Sequence, residues 1–155
     1  MRIAGIVTES VVDGPGVRFV VFAQGCPHHC PGCHNPQTWD SKGGKEMTLQ
    51  EIRKMLRKKK NKIKGLTLSG GEPFLQATEM AALAREAKKL DLDIVTYTGY
   101  VYEELLTLNL PGSDELLEVT DFLVDGPFRQ ELKDISLAFR GSGNQRLLDL
   151  AAIRR

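Results

Sequence analysis

The sequence predicts an α/β fold: a partial (β/α) barrel or an open curved, mainly parallel sheet, shorter than a full TIM barrel. Three observations carry this expectation. A strand, loop and helix recur about four times, and parallel strands need crossovers of that kind. Segments rich in glycine or cysteine follow the strand ends, where ligand sites of parallel α/β folds lie. The chain has 155 residues, whereas a closed eight-stranded barrel typically needs ~250. A single domain over residues 1–155 is expected, without an internal repeat, linker or low-complexity tract.

Ile3–Val7 and Phe19–Ala23 read as strands, rich in β-branched and aromatic residues. Between them lies the turn Val12-Asp13-Gly14-Pro15-Gly16. Gln24 to Asp40 is a polar loop with every cysteine, three prolines and the only tryptophan. Thr48 opens a helix, with Glu51 as its capping-box partner. Leu49, Ile52, Met55 and Leu56 recur at helical spacing, and the helix runs out through Arg57-Lys58-Lys59-Lys60, cations suited to a C-terminus. Leu66–Ser69 is a strand leading directly into Gly70-Gly71-Glu72-Pro73. A helix over Ala77–Leu90 follows, with Met80, Leu83, Ala87 and Leu90 on one stripe. Asp93–Thr98 is the next strand, ending in Gly99. A helical stretch near Glu103–Leu108, the turn Pro111-Gly112 and a short helix from Ser113 or Asp114 come next. Phe122–Val124 is a further strand, ending in Asp125-Gly126-Pro127. The tail carries Arg140-Gly141-Ser142-Gly143-Asn144-Gln145-Arg146.

Hydrophobic residues make up 41% and charged residues 26% of the chain, a globular composition that excludes disorder and a collagen-like chain. Twenty-one basic residues balance 20 acidic ones, so nothing drives the whole molecule toward nucleic acid or an anionic membrane. The basic run Arg57–Lys64 lacks interleaved aromatics and reads as a solvated helix end. No signal peptide or transmembrane run is visible. The expected location is cytoplasmic, with no direct nucleic-acid or membrane partner.

The three cysteines form the pattern Cys26-x-x-x-Cys30-x-x-Cys33. An odd number excludes a closed disulfide framework. Thiolates this close in sequence converge on a metal or on each other, and two metal readings compete. Zinc wants a fourth ligand, which His28, His29 or His34 could supply. An iron–sulfur cube held by three cysteines keeps one iron open. The spacing favours the cube, because zinc sites more often pair their ligands as two separated couples. Hydrogen bonding within the loop or to sulfide is the plainer reading of His28 and His29.

Cys-x3-Cys-x2-Cys followed after the next strand by Gly-Gly-Glu-Pro resembles the radical S-adenosylmethionine superfamily. The flanks narrow the likeness. Val12–Gly16, Gln24-Gly25-Cys26-Pro27-His28-His29-Cys30, Gly32-Cys33-His34-Asn35-Pro36 with Thr38-Trp39, and the Arg140–Arg146 segment are similar to the activating proteins of anaerobic (class III) ribonucleotide reductase. The likeness covers nearly the whole chain. Many superfamily members carry an aromatic residue before the third cysteine, whereas this chain has Gly32, as the activator subgroup tends to.

The resemblance implies a radical-S-adenosylmethionine-type sheet, a [4Fe–4S] cluster on Cys26, Cys30 and Cys33, and reductive cleavage of S-adenosylmethionine chelated to the open iron. The resulting 5′-deoxyadenosyl radical would abstract hydrogen from a backbone glycine of the large subunit of anaerobic ribonucleotide reductase. A flavodoxin or ferredoxin would be the electron donor. Gly70, Gly71, Glu72 and Pro73 would meet the methionine moiety, with Glu72 or nearby carbonyls accepting from its ammonium group. Backbone around Gly32–His34 would contact adenine. Thr98 and Asp125, at later strand ends, would face the ribose, the carboxylate or a cation, and Arg140, with Ser142, Asn144 and Arg146, would bind the ligand carboxylate, dock the partner or cap a terminal helix. No catalytic residue beyond the cluster ligands is implied. Asp125 also reads as a turn or cap aspartate, and Asp13–Arg18 as a tight turn, a lip of the site or a docking loop.

Two other readings compete. One is an activase of another glycyl-radical enzyme such as pyruvate formate-lyase, though those chains are usually longer. The other, of a different class, is a small zinc-binding interaction module. It accounts for the cysteines but not for Gly70–Pro73 or the repeated strand–helix units.

Overall fold

The computed structural model describes residues 1–33 and 36–154. In chain order the elements are β1 (Arg2–Ser10), β2 (Arg18–Ala23), β3 (Lys45–Glu46), α1 (Leu49–Lys59), β4 (Gly65–Gly70), α2 (Ala77–Lys88), β5 (Asp93–Tyr97), α3 (Tyr102–Leu105), α4 (Ser113–Val119), β6 (Phe122–Asp125), β7 (Arg146–Asp149) and α5 (Leu150–Ile153). They build one seven-stranded sheet in the order β3-β1-β2-β4-β5-β6-β7. β2, β4, β5 and β6 run parallel, as expected. Both flanks are antiparallel: β1 folds back on β2 as a hairpin, and β7 returns along β6. The sheet is open.

Alternation along the strands separates two faces. Leu66 and Leu68 of β4, Ile94 of β5 and Leu123 of β6 join the buried cluster that also holds Ile52 and Leu56 of α1 and Met80, Leu83 and Ala84 of α2. α2 packs against α1, α4 and the central strands. Its small residues Ala77, Ala81, Ala84 and Ala87 are all buried, letting the helix approach the sheet closely. Burying Met80 and Leu83 stabilises the fold by roughly 1.5–3 kcal/mol each. α1 starts on the foreseen capping box: Glu51 N–H donates to Thr48 Oγ1 at 3.1 Å, and Thr48 N–H donates to Glu51 Oε1 at 3.2 Å.

The opposite face carries Arg18, Thr67, Ser69, Val95 and Tyr97. Two loops, residues 11–17 and 126–145, cover it in place of helices. This one-sided layering leaves room for a cavity above the C-terminal strand ends. The basic run Arg57–Lys64 sits at the other end of the strands, where Lys64 N–H donates to Val17 O just before β4. Among the described residues, no helix is long and apolar enough to cross a membrane.

Candidate functional site

The cysteine loop leaves β2, and the Gly70–Pro73 turn leaves β4, its parallel neighbour. The two segments are stitched by backbone hydrogen bonds. Gly71 N–H donates to Ala23 O at 2.8 Å, Glu72 N–H to Gly25 O at 2.7 Å, Gly25 N–H to Thr38 O at 2.6 Å and Cys26 N–H to Trp39 O at 3.2 Å. Glycine is required here by contact. Gly70 has φ +98°, and a Cβ on it would strike the backbone of Ala23; a Cβ on Gly71 would strike Gly25 O.

Cys26, Cys30 and Cys33 are half-buried and share one cavity of about 410 Å³. Ser69, Gly70 and Gly71 form its floor, with Tyr97, Thr98 and Gly99 from the end of β5. Val12 and Asp13 close one side; Phe128, Leu137, Phe139, Arg140 and Gln145 close the other. Burial pushes the Cys26 thiol up, and the charges of Glu72 and Cys30 add to this; the nearby backbone of His28 and His29 pulls it down. Burial, followed by the charge of Asp13, raises the Tyr97 phenol, against a smaller opposing effect of Arg18.

Glu72 is fully buried behind the floor. Its Oε1 accepts from His28 Nε2 at 2.6 Å, Gly99 N–H at 2.8 Å and the Thr98 hydroxyl at 2.9 Å. Its Oε2 accepts from Phe74 N–H at 3.1 Å and shares the Thr98 hydroxyl. One carboxylate thus joins the cysteine loop, the β4 turn and the β5 end. Asp125 is likewise buried and held from within, accepting from Arg146 and from Tyr102 N–H at 2.8 Å.

Of the residues expected at the site, Cys26, Cys30, Cys33, Gly70, Gly71, Thr98 and Arg140 line the cavity. The carboxylates of Glu72 and Asp125 lie behind it. Pro73 is buried at the start of a short 3-10 turn. Gly32 is exposed, with φ +74° and the Gln130 side chain beside it. His34 lies outside the described residues. Tyr97, Phe128, Leu137 and Phe139 were not singled out in the sequence. Alternation along β5 puts Tyr97 on the face of Thr67 and Ser69, a usable signal. The other three come from a loop without periodicity, which gives none.

The donor set suits an iron–sulfur group: three thiols, soft ligands, open onto one cavity. Trp39 lines that cavity, and its buried Nε1 has no hydrogen-bond partner among the described residues, a donor available to an acceptor such as sulfide. Among the described residues, no three His, Cys, Asp or Glu side chains form a group that could hold a single metal ion. Two of the histidines that a zinc site would call on are engaged elsewhere, His28 with Glu72 and His29 stacked on Trp39 with ring centroids 4.5 Å apart.

Comparison with known proteins places the chain in a family. The pattern of the "4Fe-4S single cluster domain" family matches residues 12–148. The chain is 36% identical over 141 residues to an anaerobic ribonucleoside-triphosphate reductase-activating protein of Enterobacteria phage T4, covering 88% of this chain and 86% of that one. It is 38% identical over 157 residues to pyruvate formate-lyase 1-activating enzyme of Escherichia coli (strain K12), covering 97% of this chain and 61% of the relative. The crystal structure of QueE from Escherichia coli superposes with a TM-score of 0.52 at 16% identity, over 80% of this chain and 69% of that one, a likeness of fold alone.

Proposed function

Since this chain belongs to the family of anaerobic ribonucleoside-triphosphate reductase-activating proteins, radical S-adenosylmethionine activases of glycyl-radical enzymes, we propose that it cleaves S-adenosylmethionine and places a glycyl radical on the large subunit of an anaerobic ribonucleotide reductase. The observation that carries this reading is the opening of three thiols and the bare Gly70-Gly71 backbone onto one cavity. A [4Fe–4S] cluster, which Cys26, Cys30 and Cys33 would hold, would supply the one electron that reductive cleavage of S-adenosylmethionine to methionine and a 5′-deoxyadenosyl radical requires.

The protein's own part is to bind, orient and exclude water. Cys26, Cys30 and Cys33 would hold the cluster, three ligands for four irons. Gly70 and Gly71 let the methionine moiety lie against backbone, where carbonyl oxygens take its ammonium group. Glu72 is already saturated by protein donors, so its work is to brace that floor. Pro73 fixes the chain as it leaves the turn. Thr98 and Asp125 support the strand ends, Thr98 by donating to Glu72 and Asp125 by gripping Arg146. Arg140 on the far wall faces the ligand carboxylate. The peptide group at Gly32 meets adenine. Phe128, Leu137 and Phe139 shield the reacting centre from solvent and from solutes that would quench a radical. The electron comes from a small carrier such as flavodoxin or ferredoxin.

The test is anaerobic reconstitution with iron and sulfide, then incubation with labelled S-adenosylmethionine and a candidate reductase. Expected results are a brown protein, an electron-spin signal perturbed by S-adenosylmethionine, and label passing to a reductase glycine. A colourless protein holding one tight zinc would sink the reading. The 38% identity to the formate-lyase activating enzyme favours one alternative target, and radical appearing only on a formate-lyase would select it.

A further inference from the structure

The Arg140–Arg146 segment carries two arginines in different situations. Arg146 is engaged within the protein, by Asp125 and, at 2.7 Å, by Glu103. Arg140 lines the cavity. Its Nε donates weakly to Ala138 O at 3.4 Å. Among the described residues, its two terminal amino groups form no hydrogen bond or ion pair.

The backbone on either side of Arg140 has an uncommon shape. Phe139 has φ +61°, a left-handed conformation that costs a non-glycine residue energy. Gly141 presses on the Phe128 ring, and a Cβ there would come within 2.8 Å of Phe128 Cδ2. Such a turn persists only where its surroundings hold it, and the Gln145 side chain does so. Its Oε1 accepts from Gly141 N–H at 2.7 Å and from Ser142 N–H at 3.1 Å, while its Nε2 donates to Gly126 O at 3.1 Å. A carboxamide offers an acceptor and a donor on one planar end. Gly126 directly follows β6 and donates its N–H to Tyr100 O at 2.8 Å, so this bond ties the turn to the sheet. Asn144 and Ser142 close the base of the same loop. Asn144 Nδ2 donates to Pro127 O at 2.7 Å, and the Ser142 hydroxyl donates to Asn144 Oδ1 at 2.6 Å. Among the described residues, Gln145 alone takes the two amides that follow Arg140.

We propose that Gln145 is a positioning residue for Arg140: by fixing the Phe139–Ser142 turn to the end of β6, it holds the guanidinium at the cavity wall, where Arg140 selects a ligand carrying a carboxylate. The inference rests on the reading above, in which Arg140 faces the carboxylate of S-adenosylmethionine.

The test measures equilibrium binding of S-adenosylmethionine and of its decarboxylated analogue. It uses the full-length chain reconstituted with iron and sulfide, without reductant and so without turnover. Wild type should prefer the carboxylate form; whatever part of that preference belongs to iron is common to every variant and cancels. Arg140→Met should lower the preference about tenfold, the size of one charge-assisted hydrogen bond. Gln145→Leu should lower it comparably, and the double variant should fall no further, because both changes remove one contact. Gln145→Glu keeps the acceptor and loses the donor, and it carries the comparison if Gln145→Leu fails to fold. Trypsin gives a readout that needs no cluster: cleavage after Arg140 should be several-fold faster in Gln145→Leu, and an unchanged rate would contradict the pinning. General loosening would weaken both ligands alike. That result, or additive losses in the double variant, overturns the inference and leaves the proposed function standing. Unchanged preference in Arg140→Met removes the Arg140 contact and the inference with it. A reconstituted wild type that binds neither ligand overturns the proposed function as well.

Discussion

Arg18 Nη2 and Asp93 Oδ1 form an ion pair at 2.5 Å that crosses beneath β4, joining the first residue of β2 to the first residue of β5. Arg18 is completely buried. Its remaining donors go to Thr67 Oγ1 at 2.7 Å, Pro15 O at 2.9 Å and Leu66 O at 3.0 Å. Thr67 Oγ1 in turn donates to Asp13 O at 2.9 Å, so the same group ties the Val12–Gly16 loop down over the sheet. Arg18→Met removes the cation from this set and should destabilise the chain by about 3–5 kcal/mol, as breaking a buried pair does. Asp93→Asn should cost a comparable amount, because it leaves the completely buried Arg18 guanidinium without its countercharge. Anaerobic urea unfolding measures both; a loss below about 1 kcal/mol for Arg18→Met would contradict a structural role of this size.

Gly71→Ala should damage the site where Gly5→Ala does not. The new methyl group meets Gly25 O in the first case and open space in the second. Gly25 directly precedes Cys26, so the backbone shift that relieves the clash displaces a thiol. The expected outcome is cleavage of S-adenosylmethionine reduced at least tenfold in Gly71→Ala, with overpacking costing ~1–3 kcal/mol of stability. Cleavage assays and urea midpoints on both variants check this.

Each of Cys26→Ala, Cys30→Ala and Cys33→Ala should abolish cleavage, because all three thiols open on the one cavity. Air or a chelator should bleach the wild-type protein and stop turnover together. Full activity in any single alanine variant would remove that residue from the ligand set.

Core and cap variants separate packing from chemistry. Leu83, fully buried on α2, should cost ~2–5 kcal/mol as Leu83→Ala. Thr48→Ala, which removes the α1 cap, should cost about 1 kcal/mol. Both proteins should still take up iron and sulfide, as absorbance of reconstituted samples would report.

One acid-dependent contact lies apart from the thiols. Hydrogen bonding to Arg146 lowers the Glu103 carboxyl from its ordinary 4.5. A carboxylate depressed on folding stabilises above its unfolded value and loses that contribution as pH falls through its folded value. Wild type should therefore exceed Glu103→Gln in stability at neutral pH, with the gap closing below about pH 4.5. Unfolding midpoints across that range measure it; a gap that widens toward acid would contradict the pairing.

The parallel centre of the sheet was legible because its signals are local: capping box, helical stripe and β-branched runs each occupy a few consecutive residues. β7 was not, since Arg146–Asp149 becomes a strand only by pairing with β6. The cysteines and Gly70-Gly71 stood out through spacing together with the family likeness, and the fold opens them onto one cavity. Glu72 shows where such reading stops. Its motif pointed to a ligand contact, whereas its donors come from His28, Thr98 and Gly99, brought together only by the sheet. Tyr97 was similarly hidden among ordinary strand residues until the two faces could be told apart.

The cavity takes one wall from Val12 and Asp13 and the opposite wall from Phe128 through Gln145. During synthesis the thiol loop emerges about a hundred residues before Phe128 to Gln145, which line the same cavity. Until residue 145 has been made and β7 has docked on β6, the cysteines face an open trough. A chain whose translation stops before residue 145 would present the three thiols without that shelter.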